Sequence, residues 1–185
     1  MNNAGIRYVK PFLDYSEDEW RKTLTPEQYV LVDKLTPNFD TYSRGDIVVF
    51  HPVRREESCQ EEVAAAGGVP FIKRVIGVPG DSVLIENGSV SVNGVELEEP
   101  YVLGTTSVPE GQREWLVEDG RLFVMGDNRN NSTDSRSSQV GQVCTRDVIG
   151  RAWLRYWPLS DLGILSTPTY TDVPAAPSPS APPAP

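Results

Sequence analysis

The 185-residue sequence predicts a mostly β domain: antiparallel hairpins partly closed into a barrel, with a disordered C-terminal tail. Three observations carry that expectation. Short β-branched and aromatic runs recur along the first 165 residues. Two Asn-Gly pairs, Asn87-Gly88 and Asn93-Gly94, separate such runs at hairpin spacing. From residue 166 the chain turns to Pro, Ala, Ser and Thr, a composition that cannot bury a core and favours extended polyproline conformations.

Taken in order, Ser16-Glu17-Asp18-Glu19 is a capping-box pattern that opens one or two helical turns through Leu24. Tyr29 to Leu35 and Asp46 to Phe50 read as strands, joined by a turn-rich linker holding Pro37, Asn38, Asp40, Ser43 and Gly45. Arg54 to Gly68 is polar, then small, and reads as a surface insertion. The strongest β signal follows. Phe71 to Val78 is a strand, Pro79-Gly80-Asp81 a turn, and Ser82 to Glu86, Ser89 to Val92 and Val95 to Leu97 form a meander through the two Asn-Gly turns. Gly104 to Gly120 reads as a long loop with one apolar pair, Trp115-Leu116. Arg121 to Met125 and Val148 to Trp157 complete the strands. Three regions result: an N-terminal segment 1–28, a β domain 29–165 and a tail 166–185.

Composition excludes several function classes. The formal net charge is −9 with no basic stripe, which disfavours a nucleic-acid partner and electrostatic attraction to an anionic membrane. Cys59 and Cys144 are the only cysteines and form no CxxC pair, so a metal or thioredoxin-type site has little support. Two free thiols are preferred over one bridge. His51 is the only histidine; it reads as a surface residue at a strand end, and any His-based triad would have to run through it. No run approaches the roughly 18 apolar residues that span a bilayer, and Met1 to Asp14 has no secretory-signal pattern. No cofactor is indicated.

Three segments carry the chemistry: Arg44-Gly45-Asp46-Ile47-Val48-Val49-Phe50, then Lys73-Arg74-Val75-Ile76-Gly77-Val78-Pro79-Gly80-Asp81, then Gly126-Asp127-Asn128-Arg129-Asn130-Asn131-Ser132-Thr133-Asp134-Ser135-Arg136. In this order they resemble three boxes of the type I signal peptidase family, membrane-bound serine endopeptidases that remove signal peptides from exported proteins. The resemblance runs from about Tyr29 to Leu165. It implies a Ser–Lys dyad on a signal peptidase catalytic fold. A lysine serves as general base only when neutral, which takes a shift of roughly 3 pKa units, or about 4 kcal/mol, from its ordinary value near 10.4. Burial against apolar neighbours supplies such a shift. Lys73 matches the family's base; an exposed strand lysine in a surface ion pair is the plainer alternative. The resemblance further implies that Ser132 orients the lysine and that Asp134 and Arg136 pair to hold their loop. It implies signal peptides of exported preproteins as partners, and a place at the extracytoplasmic face of the cell membrane. Trp115, Trp153 and Trp157 are candidates for membrane contact, with burial in the core as the equal alternative.

The sequence departs from the family before the first strand, where the expected hydrophobic anchor and nucleophile segment are not matched. The family's nucleophile lies in a Ser-Met-x-Pro-Thr-Leu segment before the first strand. Thr23-Leu24 matches its end, which puts Glu19 at the serine position, Trp20 at the methionine and Lys22 at the proline. Two readings follow: an endopeptidase whose authentic start was lost through a mis-set start or frame, which is preferred, or a non-catalytic relative binding extended peptides. A repressor-type autoprotease fits less well, because no DNA-binding segment precedes the domain.

Overall fold

The computed structural model describes residues 29–34, 41–52, 59, 70–108, 112–157 and 159–175. The helix expected at Ser16 to Leu24, the serine position at Glu19 and nearly all of the 54–68 insertion lie outside the described residues.

Strands follow the chain as β1 (Tyr29–Asp33), β2 (Ile47–Phe50), β3 (Phe71–Gly77), β4 (Ser82–Glu86), β5 (Ser89–Val92), β6 (Val95–Glu96), β7 (Glu114–Leu116), β8 (Arg121–Met125), β9 (Val143–Cys144), β10 (Val148–Trp157) and β11 (Gly163–Ile164). They form a seven-stranded sheet in the order β1-β10-β2-β3-β8-β9, with β11 also on β10, and a four-stranded sheet in the order β6-β5-β4-β7. Every pairing of these strands is antiparallel. The two sheets pack without full closure, in keeping with the partly closed arrangement expected.

Burial patterns explain the strand sequences. β4 and β5 alternate, with Val83, Ile85, Val90 and Val92 turned inward, as expected of strands with one wet face. β2 and β8 are central and buried on both faces, so they read as unbroken apolar runs. Asn87 and Asn93 take φ of 53° and 51°, and Gly88 and Gly94 take 87° and 81°, the positive pairs that a type I′ turn demands. The largest core cluster lies between the sheets and joins Ile76, Val83, Ile85, Trp115, Phe123 and Met125 among others. A second, on the opposite face of the large sheet, joins Val48, Phe50, Val75, Leu122, Val124, Val140 and Val143.

Several expectations need adjustment. The stretch expected as a loop around Trp115 is strand β7; Trp115 is buried against Phe123, with ring centroids 5.0 Å apart, so it belongs to the core. Trp153 is half exposed on β10, and the Trp157 side chain lies outside the description. The preference for free thiols is overturned: Cys59 and Cys144 form a disulfide with a Cα–Cα separation of 5.6 Å. Neither residue's local sequence signals the bond, because 85 positions separate them and only the fold brings Cys144 of β9 to Cys59. His51 is half-buried rather than on the open surface, and its Nδ1 is enclosed with no hydrogen-bond partner. The packed chain also continues past residue 166. Val173 is buried in the inter-sheet cluster and Tyr170 packs against it. Prolines lower the entropy lost on ordering such a segment, and these two side chains supply the apolar area that proline and alanine lack. Residues 176–185 lie outside the described residues.

Candidate active site

The three sequence boxes meet on β3. Gly45 N–H donates to the Val75 carbonyl at 2.8 Å and Val75 N–H donates to the Asp46 carbonyl at 2.8 Å, which joins the first box to the second. β3 pairs with β8 so that Arg74 faces Met125 and Val75 faces Val124, which leads the third box away from the strand beside Lys73. Strand alternation then sends successive residues to opposite faces.

Lys73 lies on the face of Phe71 and Val75, opposite Val48, and is 3% exposed. Its ammonium nitrogen sits 5.3 Å from the centroid of the Phe71 ring.

Ser132 reaches the same face. Continuing the β3–β8 register by one residue brings Gly126 beside Lys73, on the side to which Val124 points. A Cβ placed on Gly126 would collide with the side chain of Ser132. The serine therefore lies over a glycine that has to be bare. Its Oγ is buried, and it is among the groups that hold the Asp134 carboxyl low.

Asp134 and Arg136 form a two-bond ion pair, Nε to Oδ1 and Nη2 to Oδ2, both 2.8 Å, with side chains 0% and 6% exposed. The Asp134 carboxylate also accepts the Gly126 N–H at 2.9 Å, and Arg136 donates to the carbonyls of Ser107 and Arg129. Burial alone would raise the Asp134 carboxyl; the guanidinium and the Gly126 amide outweigh it and hold the acid below its ordinary value. Ser135 turns the loop back onto β8, donating its N–H to the Val124 carbonyl at 3.0 Å and accepting the Val124 N–H at 2.9 Å.

On the far face of β3, Arg74 is 4% exposed and donates to both Asp127 oxygens, at 2.9 and 2.7 Å. Its guanidinium lies 3.8 Å from the centroid of the Tyr101 ring and donates to the carbonyls of Gly45 and Ser166. Arg129, fully buried, donates to both Glu99 oxygens at 2.8 and 2.5 Å and to Thr106 Oγ1 at 2.8 Å. Arg44 and Asp81 pair in the same two-bond manner, at 2.7 and 2.5 Å. Sequence reading named none of these partners. Each arginine lies in a box, but its carboxylate is 30 to 53 positions away, and only β pairing selects it from the chain's acids.

Among the described residues no three His, Cys, Asp or Glu side chains are grouped as a metal ion would require. Among them, too, no helix is long and apolar enough to cross a membrane.

Comparison with known proteins gives the family. A family model described as signal peptidase, peptidase S26, matches residues 9–157. Signal peptidase I of Leptolyngbya laminosa is 39% identical over 146 residues, covering 79% of this chain and 68% of that protein. Signal peptidase I U of Bacillus subtilis is 34% identical over 164 residues, covering 84% and 79%. A crystal structure of a signal peptidase I from Enterococcus faecalis V583 is 28% identical and covers 60% of this chain and 97% of that one, with a TM-score of 0.45. With the family model matched over most of its length, and with relatives above 30% identity, the chain belongs to the signal peptidase family, peptidase S26.

Proposed function

We propose that this fold serves cleavage of signal peptides from exported preproteins by Ser–Lys chemistry, and that the chain with Glu19 at the serine position lacks the attacking group. Lys73 is the general base, Ser132 orients it, and the Asp134–Arg136 pair holds the loop that carries Ser132. What supports this reading is that Lys73 is buried on β3 and that Ser132 lies over Gly126, the residue to which the β3–β8 register extends opposite Lys73. A carboxylate cannot act as the serine does, and one set beside a lysine base would favour the protonated, inert amine.

The surroundings support the extracytoplasmic side. A structural disulfide belongs to an oxidising compartment, and Cys59–Cys144 is one. Around β10 and β11, Trp153, Leu159, Leu162 and Ile164 are 47 to 79% exposed, an apolar surface suited to lipid contact.

The test is restoration. The chain as written leaves a preprotein with an Ala-x-Ala cleavage site intact. Glu19→Ser, Trp20→Met and Lys22→Pro together introduce cleavage at that site, read by gel and mass spectrometry. Adding Lys73→Ala then lowers the rate by about 10²–10⁴-fold, the usual contribution of a general base. Turnover by the unaltered chain that Lys73→Ala abolishes would refute the missing nucleophile; restored cleavage that survives Lys73→Ala would refute the assigned base.

A further inference from the structure

The C-terminal residues after β11 make a set of contacts that proline-rich composition does not foretell. Pro168 lies on Gly45, whose φ is +91° and where a Cβ would strike the Pro168 carbonyl. The Ser166 carbonyl accepts from Arg74 at 2.8 Å. The hydroxyls of Tyr170 and Tyr101 are hydrogen-bonded at 2.6 Å, and Tyr101 donates to Glu99 at 2.9 Å. Val173 is 7% exposed between the sheets. The Pro174 carbonyl accepts from Arg44 at 3.0 Å and from Asn93 at 3.1 Å, one residue from the turn before β2 and one from the β5–β6 turn. The segment thus crosses from one sheet to the other and touches residues of the first two boxes.

We propose that Ser166–Pro174 is a strap that positions the Lys73–Ser132 pair from the opposite face of β3, acting through Arg74. Arg74 follows Lys73 on the strand, and its guanidinium is held on four sides: by the Gly45 carbonyl, the Ser166 carbonyl, both Asp127 oxygens and the Tyr101 ring. The strap supplies one of those contacts directly. It steadies another, because Tyr170 fixes the hydroxyl of the ring on which Arg74 rests. Asp127 in turn follows Gly126, the seat of Ser132. Removing the strap frees one side of Arg74 and loosens a second, and both neighbours of the site inherit the slack. The strap residues are positioning residues that act through Arg74 and Tyr101. The proposal rests on the assignment of Lys73 and Ser132 above, yet its test needs no turnover, so the two can fail separately.

The experiment is NMR on the full chain carrying lysine labelled with ¹³C at Cε, comparing the unaltered protein with a chain ending at Leu165 and with Tyr170→Phe. Lys73 is assigned by Lys73→Arg, and Lys34 on β1's exit serves as the internal reference. In both variants the Lys73 titration midpoint moves while that of Lys34 does not, and the amide signals of Gly126 to Arg136 shift. The smaller displacement is expected in Tyr170→Phe, which deletes one hydroxyl and leaves the ring. A lower melting temperature with an unmoved Lys73 midpoint and unmoved loop amides would reduce the strap to a stabilising appendage and overturn the proposal. Should the chain ending at Leu165 fail to fold, Tyr170→Phe decides by the same two signals.

Discussion

The room above Gly126 is a property of a missing atom. Any side chain there meets Ser132 from a backbone that the Asp134 carboxylate already holds by the Gly126 N–H. Gly126→Ala is therefore expected to cost about 1–3 kcal/mol, the usual range for overpacking a buried site, with Ser132 displaced. Urea denaturation measures the first and the Ser132 amide shift the second. Asp134 gives a pH signature. Its folded pKa is depressed, so its contribution is full above the unfolded value near 4 and is lost as pH falls through the folded value. The denaturation midpoint of the unaltered protein should fall more steeply between about pH 5 and pH 2 than that of Asp134→Asn. Near neutral pH that variant, which leaves Arg136 buried without its carboxylate, should be less stable by roughly 3–5 kcal/mol.

At the scale of elements, what was legible in the sequence tracks how local its cause is. The run from β3 through the β4–β6 meander is written in neighbouring residues, alternation and Asn-Gly turns, and its bounds were readable to within about one residue. β7, β9 and β11 are two or three residues long, too short for alternation to register, and each exists because a longer strand offers it an edge. The strap was unreadable for the same reason. Its affinity for the domain lies in Tyr101, Arg74 and Asn93, none of which is near it in sequence. Box order marked Lys73, Ser132, Asp134 and Arg136, but the glycine on which Ser132 rests was visible only in three dimensions.

For the whole molecule, the disulfide is the longest-range covalent constraint among the described residues. It closes a loop across 85 positions and anchors the segment between β2 and β3 to β9, where Arg146 also donates to the Cys59 carbonyl. Paired Cys59→Ser and Cys144→Ser should lower stability by about 2–5 kcal/mol, seen as a lower guanidinium midpoint. Reductant should depress the unaltered protein to a similar degree and leave the double variant unmoved. A bond of this kind fits the oxidising setting proposed for the domain, and it tightens the surround of the cluster on which Lys73 borders.

β3 puts a catalytic candidate and the anchor of the architecture on consecutive residues, Lys73 facing one way and Arg74 the other. A strand of that kind tolerates exchange of side chains far better than a change in their count. Deleting any single codon between Phe71 and Lys73 would carry the arginine's guanidinium into the apolar pocket and turn the lysine toward Asp127. In a family drifting by mutation, this stretch should collect substitutions but hold its length, while the segment just before it, bounded by the β2 and β3 ends, is free to grow or shrink.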